Sequence, residues 1–286
     1  MRKFGAYVRL MRPINCLMMG SAVLVGAVLV RDYEQAVLGW NLAYGFLTGF
    51  LLTAASMVIN DYYDRQIDAV NEPDRPIPSG LVKPRSALML ALSLTFAGFA
   101  AAYLSNTSNG LCLFAAVVAW SIFVLYTTVG KRSGLPGNFL VSFCVAIPFI
   151  YGSVAATQRL ELNILLFASM AFLSNTGREI TKGIVDIEGD SEHGVKTLAV
   201  RFCEKNAAVV AVGFYVAAVV LSPLPWFLRL VSSWFLLPVV VTDFGLMLSS
   251  FMLLRDCSRE NARKVKKVVL VSFVFGLLAF VLGTSG

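Results

Sequence analysis

Apolar residues occur along this chain in long runs that are separated by shorter polar segments. A helix of about 20 apolar residues spans the hydrocarbon core of a lipid bilayer. Nine runs approach that length, and they lie near residues 14–30, 40–59, 87–104, 111–128, 138–156, 161–177, 206–221, 233–254 and 268–283. The pattern predicts an all-α, polytopic membrane protein with nine transmembrane helices. No linker or low-complexity stretch divides residues 1–286, so a single membrane-embedded domain is expected.

The composition is typical of a protein whose solvent is lipid. Hydrophobic residues make up 57% of the chain and charged residues only 14%, and the mean hydropathy is +0.74. A soluble domain needs far more polar surface than this. The five cysteines are scattered and form no Cys-x-x-Cys pair, so the sequence indicates neither a disulfide framework nor a cysteine metal site.

The basic residues are distributed very unevenly among the polar segments. Of the 24 lysines and arginines, all but Arg31, Arg159 and Arg229 lie at the N-terminus or in the segments after the second, fourth, sixth and eighth runs. Positive residues favour the cytoplasmic side of a membrane. The N-terminus and those four segments are therefore predicted to be cytoplasmic. The same rule explains the net charge of +7, so we expect membrane lipids rather than nucleic acid as partners.

Three aspartates follow the second apolar run, on the predicted cytoplasmic side. Asp61, Asp64 and Asp68 are spaced i, i+3 and i+7, which places them on one face of a helix, and Asn60 precedes them directly. This helix is predicted to continue beyond the membrane edge until a group of prolines ends it, at Pro73, Pro76 and Pro78.

A second acidic segment follows the sixth run on the same side of the membrane. Its polar positions, spaced i, i+3, i+7 and i+11 on one predicted helix face, are Glu179, Lys182, Asp186 and Asp190. We expect that helix to fray near Gly189 and Gly194. Asp61 and Asp186 are 125 residues and four spans apart, which indicates a weak internal repeat.

Carboxylates that share one helix face repel each other, so these two segments indicate a bound cation. Oxygen ligands select magnesium or calcium, and magnesium prefers a few carboxylates together with the phosphate oxygens of a substrate. Two facing acidic segments are therefore predicted to hold a diphosphate through magnesium ions, which act as Lewis acids on the leaving group. Charged, solvated helix ends would explain one such segment, but they explain two at matching places of a repeat poorly.

Basic side chains near the acidic segments are candidates for binding phosphate oxygens. They are Arg75, Lys83, Lys131 and Lys182. The positive-inside rule alone explains each of them equally well, except that Lys182 also shares the acidic face. The basic residues from Arg255 to Lys267 are predicted to anchor the protein at the membrane surface. Asp243 lies inside the eighth run, where a functional and a structural role are both open.

At these residues the sequence resembles the UbiA-type intramembrane prenyltransferases. That family carries an N-D-x-x-D-x-x-x-D first motif and a D-x-x-x-D second motif, which here are Asn60 to Asp68 and Asp186 to Asp190. The resemblance implies nine helices around a central cavity. It covers nearly the whole chain and includes Arg12-Pro13-x-Asn15, Arg75-Pro76-Ile77-Pro78-Ser79-Gly80, Tyr126-Thr127-Thr128 with Lys131, Gly137-Asn138 and Lys196-Thr197-Leu198.

The second segment, which begins Arg178-Glu179-Ile180, is most similar to the archaeal members of the family that synthesise ether lipids. This resemblance implies magnesium-dependent transfer of a geranylgeranyl group from geranylgeranyl diphosphate to the free hydroxyl of geranylgeranylglyceryl phosphate, at a site facing the cytoplasm in the cell membrane. The first motif also occurs in chlorophyll synthases, so a chlorophyllide or an aromatic quinone precursor is an alternative acceptor. An ion-coupled transporter is a remote alternative. Transporters place their charges near the bilayer midplane, whereas the acidic residues here lie at the ends of predicted spans.

The resemblance also implies roles for individual residues. The expected magnesium ligands are Asp61, Asp64, Asp68, Asp186 and Asp190. Asn60 is expected to orient the diphosphate or a carboxylate, and Lys182 to act with the acids in catalysis. The residues expected to contact the isoprenyl diphosphate or the lipid-phosphate acceptor are Arg12, Asn15, Arg75, Lys131 and Glu179.

Overall fold

The computed structural model describes residues 2–30, 39–105 and 110–284, and within these ranges the chain is helical, with no β-strand. The helices are α1 (Arg2–Met11), α2 (Pro13–Val28), α3 (Trp40–Asn71), α4 (Pro84–Ser105), α5 (Leu111–Thr128), α6 (Leu135–Thr157), α7 (Ile164–Val185), α8 (Ile187–Glu192), α9 (Leu198–Phe202), α10 (Glu204–Leu221), α11 (Leu224–Phe227), α12 (Leu236–Arg255) and α13 (Arg259–Gly283). Two short 3₁₀ turns precede α6 and α12, at Gly130–Ser133 and Ser233–Phe235.

Each of the nine predicted spans coincides with a helix of the described chain, in order α2, α3, α4, α5, α6, α7, α10, α12 and α13. By length and composition, seven helices are long and apolar enough to cross a membrane, and α1 with α2, bent by 44°, would form an eighth. The remaining helix, α7, has 22 residues but carries Arg178, Glu179 and Lys182 in its second half. The all-α, polytopic architecture is thus confirmed, and α7 differs because part of it belongs to the charged site.

Helices α2 and α6 cross at very close range, because both have glycine at the crossing. A Cβ atom added at Gly152 of α6 would lie 1.9 Å from the Val23 carbonyl oxygen, and one at Gly26 of α2 would lie 2.1 Å from the Phe149 carbonyl oxygen. No larger side chain fits such a contact without moving a backbone. The crossing therefore fixes α2, and with it Arg12 and the residues that follow it, against the rest of the bundle.

The orientation of α7 is fixed by a buried tyrosine on α10. Tyr215 is fully buried, and its hydroxyl lies 2.9 Å from Thr181 Oγ1. Its ring packs against Gly177, where an added Cβ would lie 2.6 Å from the ring. A tyrosine buried in this way needs both the packing space and the hydrogen-bond partner. Together they hold one side of α7 against α10, which leaves the charged side of α7 facing the interior.

Aromatic packing closes the end of the bundle that lies away from the acidic segments. Phe167, near the start of α7, contacts Phe280, near the end of α13, edge to face at a centroid distance of 5.0 Å. Phe235, just before α12, stacks on the same ring at 6.2 Å. Such pairs add to the free energy of burial. The charged ends of α7 and α13 therefore lie at the opposite end, next to each other.

Candidate active site

The first acidic segment forms an inward face on the last turns of α3. Asp61, Asp64 and Asp68 are 2%, 5% and 5% exposed, so the prediction that they share one face is confirmed. Helix α3 ends at Asn71, just before Pro73, as the proline group predicted. Buried carboxylates are costly unless they are paired, so the partners of these aspartates decide how the segment is stabilised.

Two arginines from other segments pair with these aspartates. Arg12 Nη2 lies 2.5 Å from Asp61 Oδ1, and Arg75 Nη1 lies 2.5 Å from Asp68 Oδ2 and 3.6 Å from Asp61 Oδ1. Burial alone would lower the pKa of the Arg75 guanidinium, but attraction by Asp68 and Asp61 outweighs it and raises that pKa. Arg75 is therefore charged over the whole accessible pH range. The third carboxylate, Asp64, accepts a hydrogen bond at 2.7 Å from the Asn60 side chain.

Arg12 lies at the break between α1 and α2, in a left-handed backbone conformation with φ 54° and ψ 69°. This conformation costs a non-glycine residue about 1–2 kcal/mol. The bend directs the guanidinium to Asp61, and the resulting ion pair offsets the cost. Asn15, on the first turn of α2, faces the same space, and its Nδ2 lies 3.8 Å from Met57 Sδ.

The second acidic segment is not one continuous helix, so that prediction is wrong. Helix α7 ends at Val185, and α8 begins after Asp186, which has φ −97° and ψ 8°. Gly189 is buried within α8 rather than fraying, whereas Gly194, with φ +67°, lies in the turn after that helix. Asp190 is 4% exposed and Asp186 is half-buried. Both acids nevertheless face the same side as Lys182, because they line one pocket with it.

Asn71, the last residue of α3, explains where α7 is interrupted. Its Nδ2 donates to the Asp186 carbonyl oxygen at 3.2 Å, and its Oδ1 accepts from the Gly189 backbone N–H at 3.0 Å. Both backbone groups belong to the junction between α7 and α8, where the Gly189 N–H bonds to Asn71 and the Asp186 carbonyl also accepts from the Asp190 N–H at 3.0 Å. The same side chain thus satisfies the junction and holds the two acidic segments side by side.

The charged residues of α7 form a small ion-pair network in the interior. Lys182 Nζ lies 3.6 Å from Glu179 Oε2, and Arg178 Nη1 lies 3.3 Å from Glu179 Oε1. The predicted common face of Glu179 and Lys182 is confirmed. All three side chains line the same cavity.

That cavity has an empty volume of about 1060 Å³, its open mouth included. Of the predicted site residues it brings together Arg12, Asn15, Asn60, Arg75, Glu179 and Lys182. A smaller pocket of about 350 Å³ shares the last two residues and adds Asp186 and Asp190. Asp61 and Asp68 are joined to the large cavity through the arginines that pair with them. Lys131 belongs to the turn before α6, but its side chain lies outside the described residues.

The oxygen donors of the two segments fit a hard cation such as magnesium, which prefers carboxylates. They are Asp61, Asp64, Asp68, Asp186 and Asp190. Within the described ranges, however, no three acidic, histidine or cysteine side chains lie close enough together to hold one ion. Arg12 and Arg75 supply the balancing charge in this arrangement. Binding of a metal by the first segment would therefore require these arginine contacts to loosen.

Sequence reasoning missed two basic residues of this cavity, Arg178 and Lys266. The segment from Arg255 to Lys267 was expected to be a surface anchor, and this is wrong for Lys266, which lines the cavity. Arg259 pairs with Glu188 at 2.5 Å and donates to the Asn71 carbonyl at 3.2 Å, while Lys266 faces the cavity. The i, i+7 spacing of Arg259 and Lys266 was the available signal, because it places both residues on one face of the helix.

Two largely apolar cavities continue from the charged cavity into the bundle. One, of about 670 Å³, shares with it Met18, Met19, Val145 and Phe273. The other, of about 550 Å³, shares with it Thr53, Ser56, Phe123 and Cys144. A charged cavity with apolar extensions is suited to amphiphilic molecules that have an anionic head and a hydrocarbon tail.

Comparison with known proteins agrees with this geometry. The UbiA prenyltransferase family model matches residues 19–278. A digeranylgeranylglyceryl phosphate synthase of Archaeoglobus fulgidus is 39% identical over 291 residues, covering 99% of this chain and 98% of that protein. A solved structure concerning digeranylgeranylglyceryl phosphate synthase is similar with a TM-score of 0.72 and 30% identity over 99% of both chains.

A UbiA homologue from Archaeoglobus fulgidus, solved bound to GPP and Mg²⁺, has the same fold with a TM-score of 0.65 at 17% identity, over 96% of this chain and 99% of that one. The family match covers most of the chain, and the similarity to named relatives covers nearly all of it. These findings show that the chain is a multi-pass membrane protein that belongs to the UbiA prenyltransferase family.

Proposed function

We propose that this protein transfers a geranylgeranyl group from geranylgeranyl diphosphate to the free hydroxyl of geranylgeranylglyceryl phosphate, in the synthesis of archaeal membrane ether lipids. One observation carries the proposal: two acidic segments from distant parts of the chain, joined by Asn71, lie beside a basic cavity that continues into apolar cavities. The names of the similar relatives support the choice of acceptor.

The two substrates match the two kinds of surface in this site. Each has an anionic head and a long hydrocarbon tail, and the site offers charged and apolar compartments in direct continuity. Because the acidic segments lie on the predicted side of the membrane that holds all but three of the 24 basic residues, we propose that the site lies at the cytoplasmic edge of the cell membrane.

Asp61, Asp64, Asp68, Asp186 and Asp190 would hold magnesium together with the diphosphate of the donor. When bound, the metal withdraws charge from the leaving group. Asn60 holds Asp64 in place and orients it toward the site. Arg75, Lys131 and Lys182 neutralise the charge on the departing diphosphate or on the phosphate of the acceptor, and Arg12, Asn15 and Glu179 position these groups.

The donor C1–O bond breaks with strong allyl-cation character, and the acceptor hydroxyl oxygen forms the new bond to C1. The hydroxyl proton passes to the leaving diphosphate or to one of the carboxylates. When the site holds the hydroxyl next to C1, the reaction between two separate lipids becomes effectively unimolecular, which lowers the entropic part of the barrier. The apolar side chains around the tails, such as Phe273 and Phe123, exclude water that would otherwise capture the cation.

Purified protein supplied with labelled geranylgeranyl diphosphate, geranylgeranylglyceryl phosphate and magnesium tests the proposal. We expect product formation that chelation abolishes and that Asp64→Asn or Asp186→Asn lowers at least tenfold, the usual scale for removing an interaction around a bound metal. Asp256→Asn is the matched control, since the Asp256 side chain is exposed and its hydrogen bonds within the described residues go only to Ser258. Equal product from the variants, or without a divalent ion, would exclude the metal–diphosphate assignment.

A panel of acceptors tests the second half of the proposal. The same assay is run with geranylgeranylglyceryl phosphate, a chlorophyllide and an aromatic quinone precursor. We expect transfer to the glyceryl phosphate to exceed transfer to the others by orders of magnitude. Preferential labelling of an aromatic acceptor would retain the prenyl transfer but refute this acceptor.

A further inference from the structure

The charged cavity holds more positive than negative side chains. Among the described residues its lining includes one acid, Glu179, and the basic residues Arg12, Arg75, Arg178, Lys182 and Lys266. Arg12 and Arg75 are matched by the buried carboxylates with which they pair. Of the remaining three cations, Arg178 and Lys182 both pair with Glu179, whereas Lys266 has no ion-pair partner within 4.0 Å in the described chain. This side of the cavity therefore carries a surplus of positive charge.

Arg178 has unused hydrogen-bonding capacity. Its Nη1 lies 3.3 Å from Glu179 Oε1, a long contact, and its Nε is buried without a hydrogen-bond partner. A buried N–H group without an acceptor is costly and rare in folded proteins. An arginine also presents several N–H donors in a planar fork that matches phosphate oxygens. The orphaned Nε therefore points to an anionic oxygen as the missing partner.

Lys266 faces the same cavity from the neighbouring helix. It lies on α13, and no carboxylate of the described residues comes within 4.0 Å of its Nζ. Lys266 thus brings a second positive charge to the side of the cavity where Arg178 lies. Two cations that approach from α7 and α13 are suited to a doubly charged phosphate monoester.

The apolar cavity begins on the same face of α13. Leu270 and Phe273 follow Lys266 along the charged cavity, and Phe273 also lines the apolar cavity of about 670 Å³. Phe273 is seven positions after Lys266 in the helix, which is about 10 Å along the axis. A lipid whose anionic head lies at Lys266 can therefore extend its hydrocarbon tail past Phe273 into the apolar cavity.

We propose that Arg178 and Lys266 bind the phosphate monoester of the lipid acceptor, while the donor diphosphate lies at the two acidic segments. This inference rests on the proposed function, which supplies an acceptor with a phosphate group. It separates the two anionic heads: one is held through carboxylates and Arg75, the other directly by two cations. The acceptor tail then occupies the apolar cavity beyond Phe273.

The test assays two variants, each with two different acceptors. Lys266→Gln and Arg178→Gln are compared with the control Lys267→Gln, which changes the exposed neighbouring residue. Each protein is assayed with geranylgeranylglyceryl phosphate and with phosphate-free geranylgeranylglycerol, at saturating donor. For both test variants we expect kcat/KM with the phosphate acceptor to fall at least tenfold, mainly through KM. We expect the KM of the donor and the slow reaction of the phosphate-free acceptor to stay as in the unmodified protein.

Two results would overturn the inference. If the variants raise the KM of the donor and slow both acceptors equally, the two cations serve the diphosphate. If the phosphate acceptor is unaffected, they bind no substrate anion. Because Lys266→Gln removes no hydrogen bond or ion pair of the described residues, it is expected to fold, and its unfolding temperature is measured first.

A binding measurement separates this inference from the proposed function. Geranylgeranylglyceryl phosphate is added to each protein in detergent without donor, and the rise in unfolding temperature is recorded. We expect the rise to be lost in Lys266→Gln and kept in Lys267→Gln. Loss of the rise without any transfer by the unmodified protein would refute the proposed function yet support the phosphate site. An equal rise in all proteins would overturn the phosphate site.

Discussion

The Asn71 side chain accepts a hydrogen bond at 3.0 Å from the backbone N–H of Gly189, 118 residues away in the sequence. Asn71 ends the helix that carries the first acidic segment, and Gly189 lies within the second. An added Cβ at Gly189 would lie 2.5 Å from Asn71 Nδ2, so only glycine allows this approach. The Asn71 side chain and Gly189 therefore help to fix the relative position of the two acidic segments, together with Arg259, which bonds to both of them.

Asn71→Ala is expected to lower the rate of prenyl transfer strongly and to destabilise the protein by about 1–3 kcal/mol. The substitution leaves the buried Gly189 N–H without its partner, and such an unsatisfied group costs about that much, while the Asp186 carbonyl keeps its bond from the Asp190 N–H. Transfer assays and thermal unfolding in detergent measure the two effects. Asn206→Ala is the control, because that exposed amide bonds only to the Phe202 carbonyl within the described chain. Unchanged activity in Asn71→Ala would show that the segments are held together by other contacts.

Arg75→Gln is expected to make the stability of the protein depend more strongly on magnesium. Arg75 is the shared cation of Asp61 and Asp68, and removing one partner of a buried pair costs about 3–5 kcal/mol. Magnesium with inorganic diphosphate would replace the lost charge, so its addition should raise the unfolding temperature more in the variant than in the unmodified protein. Arg65→Gln serves as the control, since Arg65 contacts Tyr62 rather than a carboxylate in the described chain. A smaller magnesium effect in Arg75→Gln would contradict the idea that arginine and metal balance the same acids.

Gly152→Ala is expected to destabilise the protein by about 3 kcal/mol and to abolish prenyl transfer. The new Cβ would lie 1.9 Å from the Val23 carbonyl oxygen, so α2 must move, and overpacking of this kind costs about 1–3 kcal/mol or more. Gly213→Ala is the matched control, because nothing lies within 4 Å of its added Cβ. Within a helix that change should stabilise by up to about 1 kcal/mol. Thermal unfolding of both variants measures the difference, and similar unfolding temperatures would refute the close crossing.

Asp243→Asn is expected to retain prenyl transfer within about threefold of the unmodified protein. Asp243 lines the apolar cavity and accepts a hydrogen bond at 2.6 Å from Ser222 Oγ, an interaction that the asparagine oxygen preserves. The structure thus favours a structural role for this carboxyl group over a role in the chemistry. Steady-state kinetics with both substrates tests this. A loss of tenfold or more would show that the reaction needs the negative charge of Asp243.

The sequence alone determined the features that depend on local periodicity and on the surrounding solvent. Long apolar runs must bury their backbone polar groups as helices in a bilayer, so all nine predicted spans coincide with helices. The spacing of Asp61, Asp64 and Asp68 placed them on one face because helical geometry repeats over short distances. The clustering of basic residues likewise predicted which helix ends share one side.

Only the tertiary structure decided which side chains meet. The interruption of α7 at Asp186 depends on Asn71, 115 residues earlier, and the pairing of Asp61 depends on Arg12, 49 residues away. From the sequence, Lys266 was predicted to belong to a surface anchor. In the structure α13 packs beside α7, and Lys266 therefore faces the cavity. Local spacing predicts the face of a helix but not its neighbour, because the neighbour is chosen by close packing, as at the glycines of α2 and α6.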